Sequence, residues 1–285
     1  MAFTKEESLK LHLHLGAHKT ATTHFQKVLE VNRHLYRPDI SYVSMEEFRR
    51  NLKWKSGRVD FEVCGLYLDE IKELNSTVII SEENLIGEST DIYKDLFLYS
   101  RLKRRVGSLA KFTQNFDEIE VWFSVRSLDS FLPSIYCEAL RHHRFKKFKT
   151  VYSQNYSQTW LRVVKSIRQV FPTARINVVR YENYVSVLPS IIMRVFGDNE
   201  GWDFLHEERP RSSMNHFACQ LMPLISWGLS AKMSSRAVQG VSNLLDGNNM
   251  GYKFAPFNQV DIDKFRSIYE RDIKAIKQME QVVVY

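Results

Sequence analysis

Residues 11–25 read LHLHLGAHKTATTHF, and this stretch decides the fold of the chain. Three leucines alternate with two histidines, which is the period-2 pattern of a buried strand. Gly16 follows them, and glycine permits the sharp bend that other residues resist. From Phe25 onward apolar residues recur at helical spacing. The stretch therefore predicts a strand, a tight turn and the start of a helix.

The turn carries the groups that an anion-binding site needs. A helix N-terminus presents unpaired N–H groups and the positive end of the helix dipole, so it favours anions. Lys19 adds a cation, and three hydroxyls stand beside it, those of Thr20, Thr22 and Thr23. The turn lacks the second glycine that a nucleoside-triphosphate loop places before its lysine. Two interpretations stay open: a phosphate or sulfate cradle, and an ordinary strand–helix turn with a solvated lysine.

The composition is that of a basic folded protein. The chain has 285 residues, of which 44% are hydrophobic, and a net charge of +7. This is enough for a sizeable core, and the charge favours anionic ligands without choosing among nucleotides, acidic glycans, membrane surfaces and nucleic acid. The three cysteines form neither a metal spacing nor a disulfide framework, and no segment resembles a signal peptide or a membrane span. We expect one domain over residues 1–285 and a cytoplasmic location.

Strand and helix patterns alternate along the chain. Beyond the opening strand, we predict strands over residues 77–81, 119–125 and 174–179, a turn with a short strand over 37–43, and a mostly helical portion over 214–285. The alternation predicts an α/β protein with a parallel β-sheet flanked by helices. Ligands in such folds bind beyond the C-terminal ends of the strands. Polar residues cluster at four such ends, over residues 19–23, 81–84, 126–134 and 180–183.

The turn resembles the 5'-phosphosulfate loop of the sulfotransferases that use 3'-phosphoadenosine-5'-phosphosulfate (PAPS), especially bacterial ones. That loop reads G-x-x-K-[ST]-G-T-T after the first strand, and residues 16–23 here read GAHKTATT. The resemblance implies the P-loop-like sulfotransferase fold and assigns donor binding to His18, Lys19, Thr20, Ala21, Thr22 and Thr23. Ala21 stands where the family has glycine. We expect this substitution to tighten the loop, because alanine adopts positive φ less freely.

Three further positions match the family to different degrees. Arg126 at a strand end and Ser134 eight residues later resemble the pair that holds the 3'-phosphate; an arginine fork can pair two phosphate oxygens and a hydroxyl the third. Tyr181 resembles a tyrosine near the adenine, although a tyrosine packed in the core is an equal alternative. The family's C-terminal R-K-G loop is absent here. Arg211 with Ser213 could replace it, or this segment could be a solvated connector.

Sulfuryl transfer needs a base for the acceptor hydroxyl and positive charge on the sulfate. Lys19 is the predicted cation. The end of the 77–81 strand offers Glu83 as the first candidate for the base and Glu82 as the second, because residues 81–83 resemble the S-x-E of bacterial relatives. Histidines serve as the base in cytosolic relatives, so three are held in reserve: His14, His18 and His24.

The resemblance implies transfer of a sulfuryl group from PAPS to a hydroxyl of a carbohydrate or another small metabolite, with release of 3',5'-adenosine bisphosphate (PAP) and no metal requirement. The basic segment 141–149 could recognise an acidic glycan or a lipid head group, and nothing else indicates nucleic-acid binding. One alternative is a P-loop kinase, which would need a Mg²⁺ site. Another is a non-catalytic binder of nucleotides or anionic glycans. The oligomeric state stays open.

Overall fold

The structure is a computed structural model that describes residues 8–51, 66–67, 69–71, 73, 76–89, 91, 97–113, 115–140, 145–152, 159–204, 216–225, 229–230, 233–234, 236–237, 240–241, 244 and 254–285. Its strands are β1 (Lys10–His14), β2 (Ile40–Val43), β3 (Thr77–Ser81), β4 (Glu118–Val125), β5 (Arg175–Arg180) and β6 (Val282–Val284). Its helices are α1 (Thr22–Val31), α2 (Met45–Asn51), α3 (Leu102–Thr113), α4 (Leu128–Leu140), α5 (Phe148–Tyr152), α6 (Trp160–Val170), α7 (Tyr184–Phe196), α8 (His216–Ile225) and α9 (Gln259–Lys277). Short 3₁₀ helices cover Arg33–Leu35, Glu83–Leu85 and Tyr181–Asn183.

The six strands form one sheet in the order β2-β3-β1-β4-β5-β6, and every pairing is parallel. This confirms the predicted α/β class, with a parallel sheet flanked by helices and a C-terminal part that is largely helical. After β1 the chain passes to the edge strand β2 and returns inward to β3. It then crosses β1 to reach β4 and moves outward on the other side through β5 and β6. The order therefore reverses between β1 and β4, and such a switch point opens a crevice at the C-terminal ends of the two strands.

The predicted strands agree with the observed ones to within one residue at each end. The strand suggested within residues 37–43 is β2. Strand β6 is the element that the sequence analysis missed, since residues 214–285 were expected to be mostly helical. Three valines at the end of the chain are too short a run to show a period, and they become a strand only because β5 offers an edge, pairing Ile176 with Val282.

The sheet separates two buried cores. Leu11 and Leu13 face the first core, which lies under α3, α4, α6 and α9. The second core, under α1 and α7, receives Ile79 and Trp122. The alternation of leucine and histidine in β1 thus places the leucines in the first core, as the period-2 pattern requires.

The two histidines of β1 are buried too. Trp122 donates from its indole nitrogen to Nδ1 of His12 at 3.3 Å, and Nδ1 of His14 lies 2.8 Å from the hydroxyl of Ser81. Burial lowers the pKa of His12 to about 4 and that of His14 to about 3. Both rings are therefore neutral at pH 7.

These two pKa values predict that acid destabilises the fold. The unfolded chain binds a proton at each histidine below about pH 6.5, whereas the folded chain resists protonation down to about pH 4. The free energy of unfolding should fall by roughly 1.4 kcal/mol per pH unit for each histidine across this interval. Urea titrations at pH 7 and pH 5 measure the slope. His14→Gln should reduce it, while the exposed control His34→Gln should not; an unchanged slope in His14→Gln would contradict the assignment.

Candidate functional site

The loop between β1 and α1 is built from left-handed backbone. Gly16, Lys19 and Ala21 have φ of 49°, 63° and 66°. A Cβ at Gly16 would also approach Oγ1 of Thr22 to 2.8 Å, so this position requires glycine for space as well as for conformation. The predicted sharp bend at Gly16 is therefore present.

Ala21 takes the conformation that its identity was expected to resist. It precedes α1 with φ 66° and ψ 20°, which is the left-handed region. For a residue with a Cβ, this conformation costs about 1–2 kcal/mol. Alanine at this left-handed position therefore adds strain to the loop.

The N-terminus of α1 is open to an anion. Ala21 provides no side-chain cap, and the first turn carries no acidic residue. The partial positive charge of this helix end is therefore not neutralised by the side chains of its own first turn.

The threonines of the loop divide into two groups. Thr20 and Thr22 are buried, and their hydroxyls donate to the carbonyl oxygen of Ala17. Their hydroxyl protons thereby hold the loop's own shape. Thr23 is exposed and stands in the first turn of α1.

His18 fastens the loop to the segment after β3. Its backbone N–H donates to the hydroxyl of Tyr99 at 3.0 Å, and its Nδ1 lies 3.1 Å from the same hydroxyl. Its Nε2 lies 3.0 Å from Oδ1 of Asn84. Because an amide oxygen only accepts, Nε2 carries the proton and Nδ1 accepts from Tyr99. Both ring nitrogens of His18 therefore have hydrogen-bond partners. One of these partners, Tyr99, was not identified from the sequence.

Lys19 points to a carboxylate that the sequence analysis also missed. Its Nζ lies 3.6 Å from Oε2 of Glu138, with side-chain exposures of 24% for Lys19 and 16% for Glu138. Glu138 belongs to α4, one turn beyond Ser134. Ser134 and Glu138 are four residues apart and so share a face of the helix, and this spacing is the sequence signal that could have identified Glu138.

Arg126 joins three of the polar clusters. Its Nη1 donates to the carbonyl oxygen of Lys19 at 3.0 Å, and its guanidinium lies over the ring of Tyr181, 4.5 Å from the centroid. The ends of β1, β4 and β5 therefore meet at this side chain. Burial lowers the pKa of Arg126, while nearby Tyr181 and Glu182 oppose that effect.

The hydroxyl beside Arg126 is that of Ser130, at 2.9 Å from Nε. Ser134 lies one turn further along α4 and is 8% exposed. Ser130 thus lies between Arg126 and Ser134, the two residues predicted to hold the 3'-phosphate. It is a further candidate for that role, which the eight-residue spacing did not indicate.

Two side chains hold the Arg126 segment in place. The indole N–H of Trp160 donates to the carbonyl oxygen of Arg126 at 2.7 Å. Glu182 accepts from the N–H of Ser127 at 2.8 Å and from the hydroxyl of Tyr269 at 2.8 Å. Glu182 thereby connects the loops after β4 and β5 to helix α9.

The two glutamates after β3 have different environments. Glu82 is 0% exposed and forms a bidentate ion pair with Arg49, with N–O distances of 2.6 and 2.8 Å. It also accepts a hydrogen bond from the backbone N–H of Asn84. Glu83 begins the next 3₁₀ helix and is partly exposed. Only Glu83 of the two is accessible to a substrate in this conformation.

The remaining candidates have these positions. His14 is buried against Ser81, and Nδ1 of His24 lies 2.8 Å from the hydroxyl of Tyr184. Arg211 and residues 141–144 lie outside the described residues. Within the described ranges, no group of three or more His, Cys, Asp or Glu side chains could hold a metal ion. In the same part of the chain, every helix is too short or too polar to cross a membrane.

Comparison with solved structures gives distant similarity only. No protein-family model matches the chain, and no curated protein matches its sequence. A sulfotransferase from Alicyclobacillus acidocaldarius superposes on 81% of this chain and 95% of its own, with a TM-score of 0.40 and 14% sequence identity. At this level the similarity assigns no family. The fold and the site rest on the strand order and the side-chain contacts given above.

The strain at Ala21 leads to a stability prediction. Ala21→Gly should raise the free energy of unfolding by about 1 kcal/mol, because glycine adopts the left-handed conformation without the Cβ penalty. Ala110→Gly in α3 is the matched control and should lower it by about 1 kcal/mol, since glycine weakens a helix interior. Both are measured by urea denaturation. A loss of stability in Ala21→Gly would contradict the strained loop.

Proposed function

We propose that the protein is a PAPS-dependent sulfotransferase that transfers a sulfuryl group to an acceptor hydroxyl. One observation carries the proposal: Arg126 contacts both the Lys19 carbonyl and the Tyr181 ring at the switch point of the sheet. A loop cation, a strand-end guanidinium and an aromatic ring are thereby close together, and these are the groups that a nucleotide with two separate anionic ends requires.

The residues fit such a donor. The open N-terminus of α1, together with Lys19, suits the 5'-phosphosulfate. Arg126, with Ser130 and Ser134 on α4, suits the 3'-phosphate. A bound phosphate would offset the burial that lowers the pKa of Arg126. Tyr181 offers a ring beside the guanidinium for the adenine, and Thr23 an exposed hydroxyl for the 5' end.

Glu83 is the proposed base. The acceptor oxygen forms a bond to sulfur, the bond from sulfur to the bridging phosphate oxygen breaks, and the acceptor proton passes to the Glu83 carboxylate. Lys19 stabilises the charge that develops on the leaving oxygen. Glu82 is not retained as a base, because its carboxylate is fully buried and bound by Arg49. Its contact instead holds the end of β3, where Glu83 follows.

Nucleotide binding tests the proposal without an acceptor. PAP should stabilise the protein against thermal unfolding in the absence of metal, whereas ATP with Mg²⁺ should have a much weaker effect, because the loop lacks the second glycine of triphosphate loops. Thermal-shift titration measures both. A preference for ATP–Mg²⁺ would replace the sulfotransferase proposal with the kinase alternative.

The assignment of the base makes a second prediction. Glu83→Gln should reduce sulfate transfer from ³⁵S-labelled PAPS, assayed on a panel of hydroxylated oligosaccharides, by roughly 10²–10⁴-fold, because the amide cannot take the proton. Glu88→Gln is the control: it makes the same change from carboxylate to amide at an exposed position of the same segment, and it should retain activity. If Glu138→Gln abolished transfer while Glu83→Gln retained it, the base would be Glu138.

The ion pair between Lys19 and Glu138 predicts a change in affinity. The Glu138 carboxylate competes with an incoming anion for Lys19, so Glu138→Gln should tighten PAP binding by about three- to tenfold. Glu118→Gln removes the same charge at the opposite end of β4 and should leave the affinity unchanged. Isothermal titration calorimetry measures both variants. Weaker binding in Glu138→Gln would mean that Glu138 supports Lys19 instead of competing for it.

A further inference from the structure

A basic cleft runs along α6 and is closed on its other side by residues 98–103, which include the first turn of α3. Its volume is about 540 Å³. Both helices begin at the C-terminal edge of the sheet, since α3 leads into β4 and α6 into β5. One end of the cleft therefore lies at the same edge as the loop that holds Lys19, yet none of the described residues proposed above to bind the donor or to act as the base lines it.

Among the residues that the structure describes, three cations line the cleft: Lys103 of α3, and Arg162 and Lys165 of α6. All three are exposed. The guanidinium of Arg162 lies over the ring of Phe97, 3.9 Å from its centroid, which limits its freedom. Among the described residues that line the cleft, none carries a carboxylate. Like charges brought together in a concave surface attract an anion of matching size and raise its local concentration.

Asp272, a carboxylate that contacts the cleft wall at Thr159, already has hydrogen-bond donors. Asp272 accepts from the hydroxyl of Thr159 at 2.6 Å and from the N–H of Trp160 at 2.8 Å. It is buried and caps the N-terminus of α6. Its charge is therefore committed to the helix and does not neutralise the cleft.

Hydroxyl and amide groups alternate with the cations. Ser100, Ser166 and Gln169 line the cleft beside them, and the apolar part of the wall includes Leu98 and Leu161. Cations with interspersed hydrogen-bonding groups and small apolar faces suit a sugar chain that carries carboxylates or sulfates. A single-stranded nucleic acid would use aromatic stacking platforms, and the aromatic residue in this lining, Tyr99, is buried.

The cleft is physically linked to the loop. Tyr99 contributes to the cleft wall, and its hydroxyl contacts both the N–H and Nδ1 of His18, the neighbour of Lys19. We infer that the cleft binds an acidic oligosaccharide and holds the anionic flank of the acceptor. The role as acceptor site rests on the proposed sulfotransferase function, whereas the binding itself does not.

Calorimetry with a defined heparin hexasaccharide tests this inference on the full chain. The double variant Lys103→Glu/Lys165→Glu should bind the hexasaccharide at least about tenfold more weakly than the wild type, because two attractive charges become repulsive. The milder Lys103→Gln/Lys165→Gln should show a smaller loss in the same direction. The matched control, Lys111→Glu/Lys274→Glu, makes the same change in net charge at exposed positions of α3 and α9 outside the cleft and should keep wild-type affinity.

Three outcomes would overturn the inference. Equal weakening in the control would show that the attraction is a property of net charge alone. Equal binding of a neutral hexasaccharide would remove the role of the cations, and tighter binding of hexadeoxythymidylate would assign the cleft to nucleic acid. PAP affinity is measured on the same variants and should not change. If PAP failed to bind the wild type while the hexasaccharide bound in the cleft, the proposed function would fail and the cleft would stand.

Discussion

The hydrogen bond from Arg126 to the carbonyl oxygen of Lys19, 3.0 Å long, joins the two loops at which the strand order reverses. A parallel sheet opens a crevice at such a point, but the topology alone does not determine which side chains fill it. Here the contact brings the guanidinium next to a left-handed loop and an uncapped helix N-terminus. Trp160 and Glu182 hold the Arg126 segment from the other side, so the position of the cation depends on α6 and α9 as well as on β4.

The carboxylates at this edge of the sheet are of two kinds: some are held in contacts within the protein, and others are partly exposed to solvent. Glu82, Glu182 and Asp272 are used within the protein, in contacts with Arg49, Tyr269 and Thr159. Glu83 is partly exposed, and Glu138 pairs with Lys19 across a contact that both side chains leave partly open to solvent. Exposed or partly exposed ion pairs contribute little stability, so an incoming anion can displace such a pair at small cost. Loss of Arg49 would leave the fully buried carboxylate of Glu82 without its cation, which is costly.

The sequence predicted the fold and the loop because both depend on local patterns. Alternating leucines, the glycine before Lys19 and the apolar spacing of the helices act over a few residues. The partners of the site residues depend on the tertiary fold instead: His18 meets Tyr99, and Glu82 meets Arg49. The eight-residue spacing from Arg126 to Ser134 missed Ser130, which occupies the turn of α4 nearer to the guanidinium. Strand β6 was missed because its pairing with β5 creates it.

The most direct test of the account is calorimetric comparison of PAP with 5'-AMP, which differs by the phosphate assigned to Arg126. The wild type should bind PAP at least about tenfold more tightly than 5'-AMP, as expected for a charge-assisted contact of about 1.4 kcal/mol or more. Arg126→Ala, with its folding checked by thermal unfolding, should lose this preference and bind both nucleotides alike. A wild-type preference for PAP that persisted in Arg126→Ala would contradict the account.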